Sequence, residues 1–130
     1  MAKIMVADGF SAIRELLMEE LASEGHIVTA VGEIKSIQER IPIIEPDLLI
    51  MDIYMNGKVS WTLLEEIIKH NPHLPALIFT GYGAEEALHS SLVDGFVVKS
   101  SDLDELKKKV KEILMRNYHP ADKKGQSISV

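Results

Sequence analysis

The chain reads as an α/β protein, a doubly wound parallel sheet of five strands with helices on both faces. Three observations predict this class. Five short apolar runs recur along the 130 residues, and segments with helical spacing lie between them. The middle run, Leu48-Leu49-Ile50-Met51, has no polar alternation, which is the pattern of a central strand covered on both faces. Parallel strands joined by right-handed helical crossovers give an open sheet of this kind, a (βα)5 order.

Ile4-Met5-Val6-Ala7 makes the first strand, and Ile13, Leu16, Leu17 and Leu21 give the first helix an apolar stripe at i, i+3, i+4 and i+8. Ile27-Val28-Thr29-Ala30-Val31 is the second strand, followed by a weaker helical segment at 33–40. The third strand leads to a helix carried by Leu63, Leu64, Ile67 and Ile68. Ala76-Leu77-Ile78-Phe79 is the fourth strand, with a second weak helical segment at 84–91. Phe96-Val97-Val98 is the fifth, before a helix with Leu103, Leu106, Val110, Ile113 and Leu114 on one stripe. Ser101 with Asp104 three residues on reads as a capping-box start with Asp for the usual Glu. Pro42, Pro46, Pro72 and Pro75 are expected at helix ends and strand entries. Residues 1–117 form one domain on this reading, and 118–130 lose helical periodicity and read as a polar, flexible tail.

Composition agrees. A length of 130 residues suits one domain of about 100–150. At 46% hydrophobic and 26% charged the chain is globular rather than disordered. A net charge of -6 argues against a general nucleic-acid coat, so no direct nucleic-acid partner is expected. Without cysteine there is no disulfide, thiolate nucleophile or cysteine-bound zinc. No apolar run approaches the roughly 20 residues that span a bilayer, and the first residues lack the signal-peptide pattern. A cytoplasmic protein with no membrane contact is expected. Residues 1–104 carry 7 bases and 17 acids, residues 105–130 carry 7 bases and 3 acids, and the basic end reads as a solvated helix face.

In such a sheet ligands bind beyond the carboxyl ends of the strands. The first run ends at Asp8, the third at Asp52, the fourth at Thr80 and the fifth at Lys99. Any one of these has a bland reading as a turn, cap or solvated residue. All four at strand ends favour a site. Two nearby carboxylates repel, which a divalent cation or the lysine relieves, and hard oxygen ligands suit magnesium. A carboxylate can attack phosphorus to give an acyl phosphate, with ammonium and hydroxyl donors around the phosphoryl oxygens.

Val6-Ala7-Asp8, Pro46-Asp47-Leu48-Leu49-Ile50-Met51-Asp52-Ile53-Tyr54-Met55, Phe79-Thr80-Gly81 and Gly95-Phe96-Val97-Val98-Lys99 resemble the receiver domain of two-component response regulators, of the divergent stand-alone type. The resemblance runs from about Lys3 to Arg116 and is most specific around Asp52. It implies a flavodoxin-like fold and a role in phosphorelay signal transduction rather than an enzyme. Asp52 would be the phosphoacceptor, served by a sensor histidine kinase or phosphotransfer protein. Mg2+ would be held by Asp8, Asp52 and the backbone carbonyl of Tyr54. Lys99 would pair with Asp52 and then with the phosphoryl oxygens, and Thr80 and Phe96 would form the switch. The fourth helix, fifth strand and last helix would be the readout face, meeting a downstream effector in trans or a second copy in a homodimer. The chain has no room for an output domain after residue 116, which makes the trans effector the expectation.

The family shows two adjacent acids after the first strand, and here only Asp8 is present. Counting back from Arg14 leaves the gap at Gly9; a one-residue loop insertion leaves it at Ala7. Either way one carboxylate is missing, and if it is the direct ligand the expected Mg2+ binding is weakened. Asn56 stands where a proline is usual, Val59-Ser60 replaces Asp-Gly, and Ser100 follows Lys99 in place of a proline whose preceding bond is often cis. Cis geometry without proline costs about 2.5–4 kcal/mol, so the Lys99 loop is expected to differ. A degenerate receiver acting as a phosphorylation-independent interaction module is the first alternative. An aspartate-nucleophile phosphatase is the second, although Phe10 stands where its second aspartate belongs. Gly81-Tyr82-Gly83 is too short for a phosphate loop, and the five histidines show no close metal-ligand pairing. Trp61 is expected to pack, and Tyr82 is a candidate surface contact.

Overall fold

A computed structural model describes residues 1–81, 91–100 and 102–116. In chain order these form β1 (Lys3–Ala7), α1 (Ser11–Ala22), β2 (Ile27–Val31), α2 (Ile34–Ile44), β3 (Leu48–Met51), β4 (Tyr54–Met55), β5 (Lys58–Val59), α3 (Trp61–His70), β6 (Ala76–Thr80), β7 (Gly95–Val98) and α4 (Asp104–Arg116). The expected helix at 84–91, Tyr82, Ser101 and the tail lie outside the described residues, except that Ser91 is in a turn.

β1, β2, β3, β6 and β7 form one parallel sheet in the order β2-β1-β3-β6-β7. The chain starts in the middle, lays β2 on one side of β1 and β3 on the other, so the strand order reverses between β1 and β3. Alternation along each strand divides the core into two layers. Ile4, Val6, Leu48, Ile50, Leu77, Phe79 and Val97 pack against Leu17 and Leu21 of α1 and Leu106, Val110 and Ile113 of α4. Met5, Ala7, Leu49, Met51, Ala76 and Ile78 face Ile37 and Ile41 of α2 and Leu64 and Ile67 of α3. β3 is buried along its whole length, as its unbroken apolar run requires. An ion pair between Lys107 and Glu20 ties α4 to α1 on the outside.

Several local expectations are corrected. α2 runs on to Ile44 with Pro42 inside it. In the last turn the proline removes a single donor, and Glu45, at φ 53, closes the helix by donating its N–H to the Ile41 carbonyl at 2.8 Å. α4 begins at Asp104, so Asp104 is the first helical residue and not the third of a capping box. The entry is an Asx turn in which Oδ1 of Asp102 accepts from the Asp104 N–H at 2.9 Å. Leu16 is partly exposed at the margin of the α1 stripe. One expectation stands: with Ser100 in place of proline the Lys99–Ser100 bond is not cis, nor is any other described peptide bond.

Between Asp52 and α3 the chain makes a small antiparallel hairpin, β4 with β5. Asn56 and Gly57 form its tip, with φ values of 55° and 75°. Positive φ at both central residues is what a two-residue type I′ turn needs, and Asn-Gly is its strongest sequence signal. Trp61 follows and packs against the α2–α3 layer together with Tyr54 and Phe96.

Candidate functional site

Of the polar or charged residues buried among those described, Asp8, Asp52 and Thr80 stand at the carboxyl ends of β1, β3 and β6, and Ser60 precedes α3. Asp8 and Asp52 leave the two strands between which the order reverses, where an open α/β sheet opens a crevice. Their side chains are 2% and 4% exposed, so each charge needs a partner.

Lys99, just after β7, is that partner for both. Its Nζ lies 2.8 Å from Oδ2 of Asp8 and 2.7 Å from Oδ2 of Asp52. The remaining carboxylate oxygens accept from backbone: Oδ1 of Asp8 from the Phe10 N–H and Oδ1 of Asp52 from the Tyr54 N–H, each at 2.9 Å. The Phe10 ring covers the ammonium, with its centroid 5.3 Å from Nζ, a cation–π distance. Burial acts on Lys99 to lower its pKa, but the hydrogen bonds and charges of Asp52 and Asp8 outweigh it, so the pKa is raised above the ordinary lysine value. The site thus carries two acids and one firmly protonated base.

Thr80 is fully buried at the end of β6, and its carbonyl accepts from the Lys99 N–H at 2.9 Å. The register of β6 with β7 therefore sets where Lys99 leaves the sheet. Phe96 is half-buried on the opposite side of β7 from Val97 and packs in the layer that contains Met51 and Ile53. Asp8, Asp52 and Lys99 are in direct contact, Thr80 shares their rim, and Phe96 lies behind it.

The missing acid belongs at residue 9. Ala7 is buried in the α2–α3 layer beside Met51 and Ile37, where a carboxylate would face the core. A Cβ built on Gly9 would meet nothing nearer than the Asn56 nitrogen at 3.8 Å. The carboxylates of Asp8 and Asp52 converge on a single point and supply hard oxygen donors, and they fit a magnesium ion that keeps several waters. Among the described residues no group of three or more acids or histidines could hold a metal. His70 and His73 are exposed, in keeping with surface placement.

Residues 4–111 match the model of the response regulator receiver domain. The chain belongs to this family. The receiver is 28% identical over 119 residues to the DNA-binding transcriptional activator DevR/DosR of Mycobacterium tuberculosis, covering 87% of this chain and 54% of that protein. It thus spans about half the length of that curated relative. Among solved structures, the response regulator TrrA of Thermotoga maritima in complex with Mg2+-BeF has a TM-score of 0.79 at 35% identity, covering 87% of this chain and 99% of that one. TrrA in complex with the histidine kinase ThkA gives a TM-score of 0.76 at 34% identity over 88% of this chain and 99% of TrrA. The fold is the flavodoxin-like receiver fold, and the protein is a receiver of two-component signal transduction. No described helix is long and apolar enough to cross a membrane.

The structure brings the sequence candidates Asp8, Asp52, Thr80 and Lys99 to one rim of the sheet. Sequence reasoning missed the roles of Phe10 as a cover for Lys99 and of the Tyr54 N–H as an anchor for Asp52. It also missed the hairpin, whose Asn56-Gly57 signal was present in the sequence.

Proposed function

We propose that Asp52 accepts a phosphoryl group from a histidine of a sensor kinase or phosphotransfer protein, and that the modified receiver presents an altered surface to a partner. The observation that carries this reading is the setting of Asp52. It is a nearly buried carboxylate at the strand-order reversal, with Oδ1 held by the Tyr54 N–H and Oδ2 beside Lys99. Held in this way, the carboxylate is oriented for attack on phosphorus, which forms an acyl phosphate as the bond to the donor nitrogen breaks. Lys99 then meets a phosphoryl oxygen in place of the carboxylate charge, and Thr80 and Phe96 follow as the switch.

Asp8, Asp52 and the carbonyl of Tyr54 are the groups that would hold Mg2+, which when bound supplies charge neutralisation for the transferring group. With Gly9 in place of a second acid, binding is weaker than two adjacent acids would give. The domain has no enzymatic activity of its own on this reading and works in the cytoplasm. The exposed lysines of α4 favour an acidic protein surface as effector in trans, or a second copy through the α4 face, over nucleic acid.

The test is incubation with acetyl phosphate or a phosphorylated kinase in millimolar Mg2+, read by intact mass, with Asp52→Asn as control. One phosphoryl adduct on the wild type and none on the variant is expected. A second reading, an interaction module that is never phosphorylated, is favoured by Gly9. Failure of beryllofluoride to bind at millimolar Mg2+ would decide for it.

A further inference from the structure

Gly32, in the turn from β2 to α2, is not a turn glycine, because its φ lies outside the left-handed region. It is a glycine for want of space. A Cβ built on it would stand 2.5 Å from Nη1 and 2.8 Å from Cζ of Arg14, so the guanidinium of Arg14 on α1 occupies the space a side chain at residue 32 would need. From that seat Nη1 donates to the main-chain carbonyl of Asp8 at 2.8 Å. Among the described residues Arg14 makes no ion pair, so this guanidinium is spent on backbone.

Asp8 is in consequence tied at every polar group. Its N–H donates to the Val31 carbonyl at 3.1 Å and its carbonyl accepts from Arg14. Oδ1 accepts from the Phe10 N–H and Oδ2 meets Lys99. Two of these ties, through Val31 and through Arg14 on Gly32, reach to the end of β2. The β1 side of the site has one acid only, so the placement of that acid has no neighbour to compensate for an error.

We infer that Arg14, seated on Gly32, is a positioning residue that holds Asp8 against Lys99 and thereby couples the β2–α2 turn to the phosphoryl site. The inference rests on the reading of Asp52 as phosphoacceptor. A charge role would act the other way, because a nearby cation repels a divalent one.

The test uses the full chain without metal. Trace acylation with acetic anhydride is read by mass spectrometry, with Lys99 labelling normalised to exposed Lys69. Loss of the tie frees Lys99 from one of its two carboxylates, so Arg14→Ala raises Lys99 labelling by roughly fivefold. Gly32→Ala, which only displaces the guanidinium, gives a similar rise, and the double variant gives no more than either alone. Arg14→Lys, keeping the charge but not the planar donor, falls between. Unchanged Lys99 labelling in folded single variants, whatever their melting temperature, would overturn the inference, as would additive effects in the double variant. Beryllofluoride trapping by the wild type is scored separately: its failure removes the phosphoacceptor reading, while the labelling still decides whether Arg14 positions Asp8.

Discussion

Restoring the absent acid is the most direct trial of the electrostatics at this rim. Gly9→Asp adds one carboxylate next to Asp8. The backbone accepts it, since φ of Gly9 lies outside the left-handed region and the new Cβ stands in ordinary contact, 3.8 Å from the Asn56 nitrogen. Two unit charges about 4 Å apart interact by about 1 kcal/mol under water-like screening, and a divalent cation doubles this to about 2 kcal/mol. That corresponds to a gain of roughly thirtyfold in Mg2+ affinity. Trp61 is the sole tryptophan and packs in one layer with Tyr54, two residues beyond Asp52, so its fluorescence follows a magnesium titration, with calorimetry as a check. The neutral variant Gly9→Asn separates charge from shape and is expected to stay near the wild type. The added acid also raises repulsion with Asp8 and Asp52 when no cation is present, so the variant melts below the wild type without magnesium and gains more from it. An affinity within twofold of the wild type in a folded Gly9→Asp protein would refute the reasoning, and so would an equal gain in Gly9→Asn.

Three further outcomes follow from the same geometry. Lys99→Met leaves two nearly buried carboxylates without their shared counterion; a loss of about 2 kcal/mol is expected in urea unfolding, recovered in part by millimolar Mg2+. His26 has a lowered pKa through burial first and the amino-terminal charge second, so the unfolded chain binds more protons below its ordinary value of 6.5. Stability therefore falls from pH 7 toward pH 5, and His26→Gln is expected to flatten that dependence in denaturation at the two pH values. Gly57→Ala forces a side chain onto φ 75 and is expected to cost about 1 kcal/mol, seen as a lower melting temperature.

The sheet was legible because its strands are short and apolar, and its three inner strands are buried on both faces. Leu48–Met51 was bounded to the residue, since burial on both sides leaves no polar position at which to slip, and Ile27–Val31 was bounded as well although it is an edge strand with Ile27 exposed. The helix boundaries were less so. Pro42 and Ser101 carry the usual stop and start signals, yet a proline in a last turn costs one bond only, and Oδ1 of Asp102 accepts from the first N–H of α4. At the site, the chemistry-bearing residues stood out as polar groups at the ends of apolar runs. What could not be read was their connection by backbone. The N–H groups of Phe10 and Tyr54 and the carbonyl of Asp8 carry no residue identity, so no pattern in the sequence announces them.

Gly9 and Lys99 are best understood as parts of one balance of charge. A buried carboxylate persists only when paired, and here one ammonium serves two acids, leaving the described cluster one charge short of neutral. A second acid at residue 9 would leave it two short, a deficit that only a cation could answer. On the proposed reading, omitting that acid lessens repulsion in the metal-free state and would cost part of the hold on magnesium. The receiver is therefore expected to be stable without metal and to respond to phosphoryl donors over a higher range of magnesium concentration than its Gly9→Asp variant. A phosphorylation rate that saturates at the same magnesium concentration in both proteins would show that residue 9 does not take part in that balance.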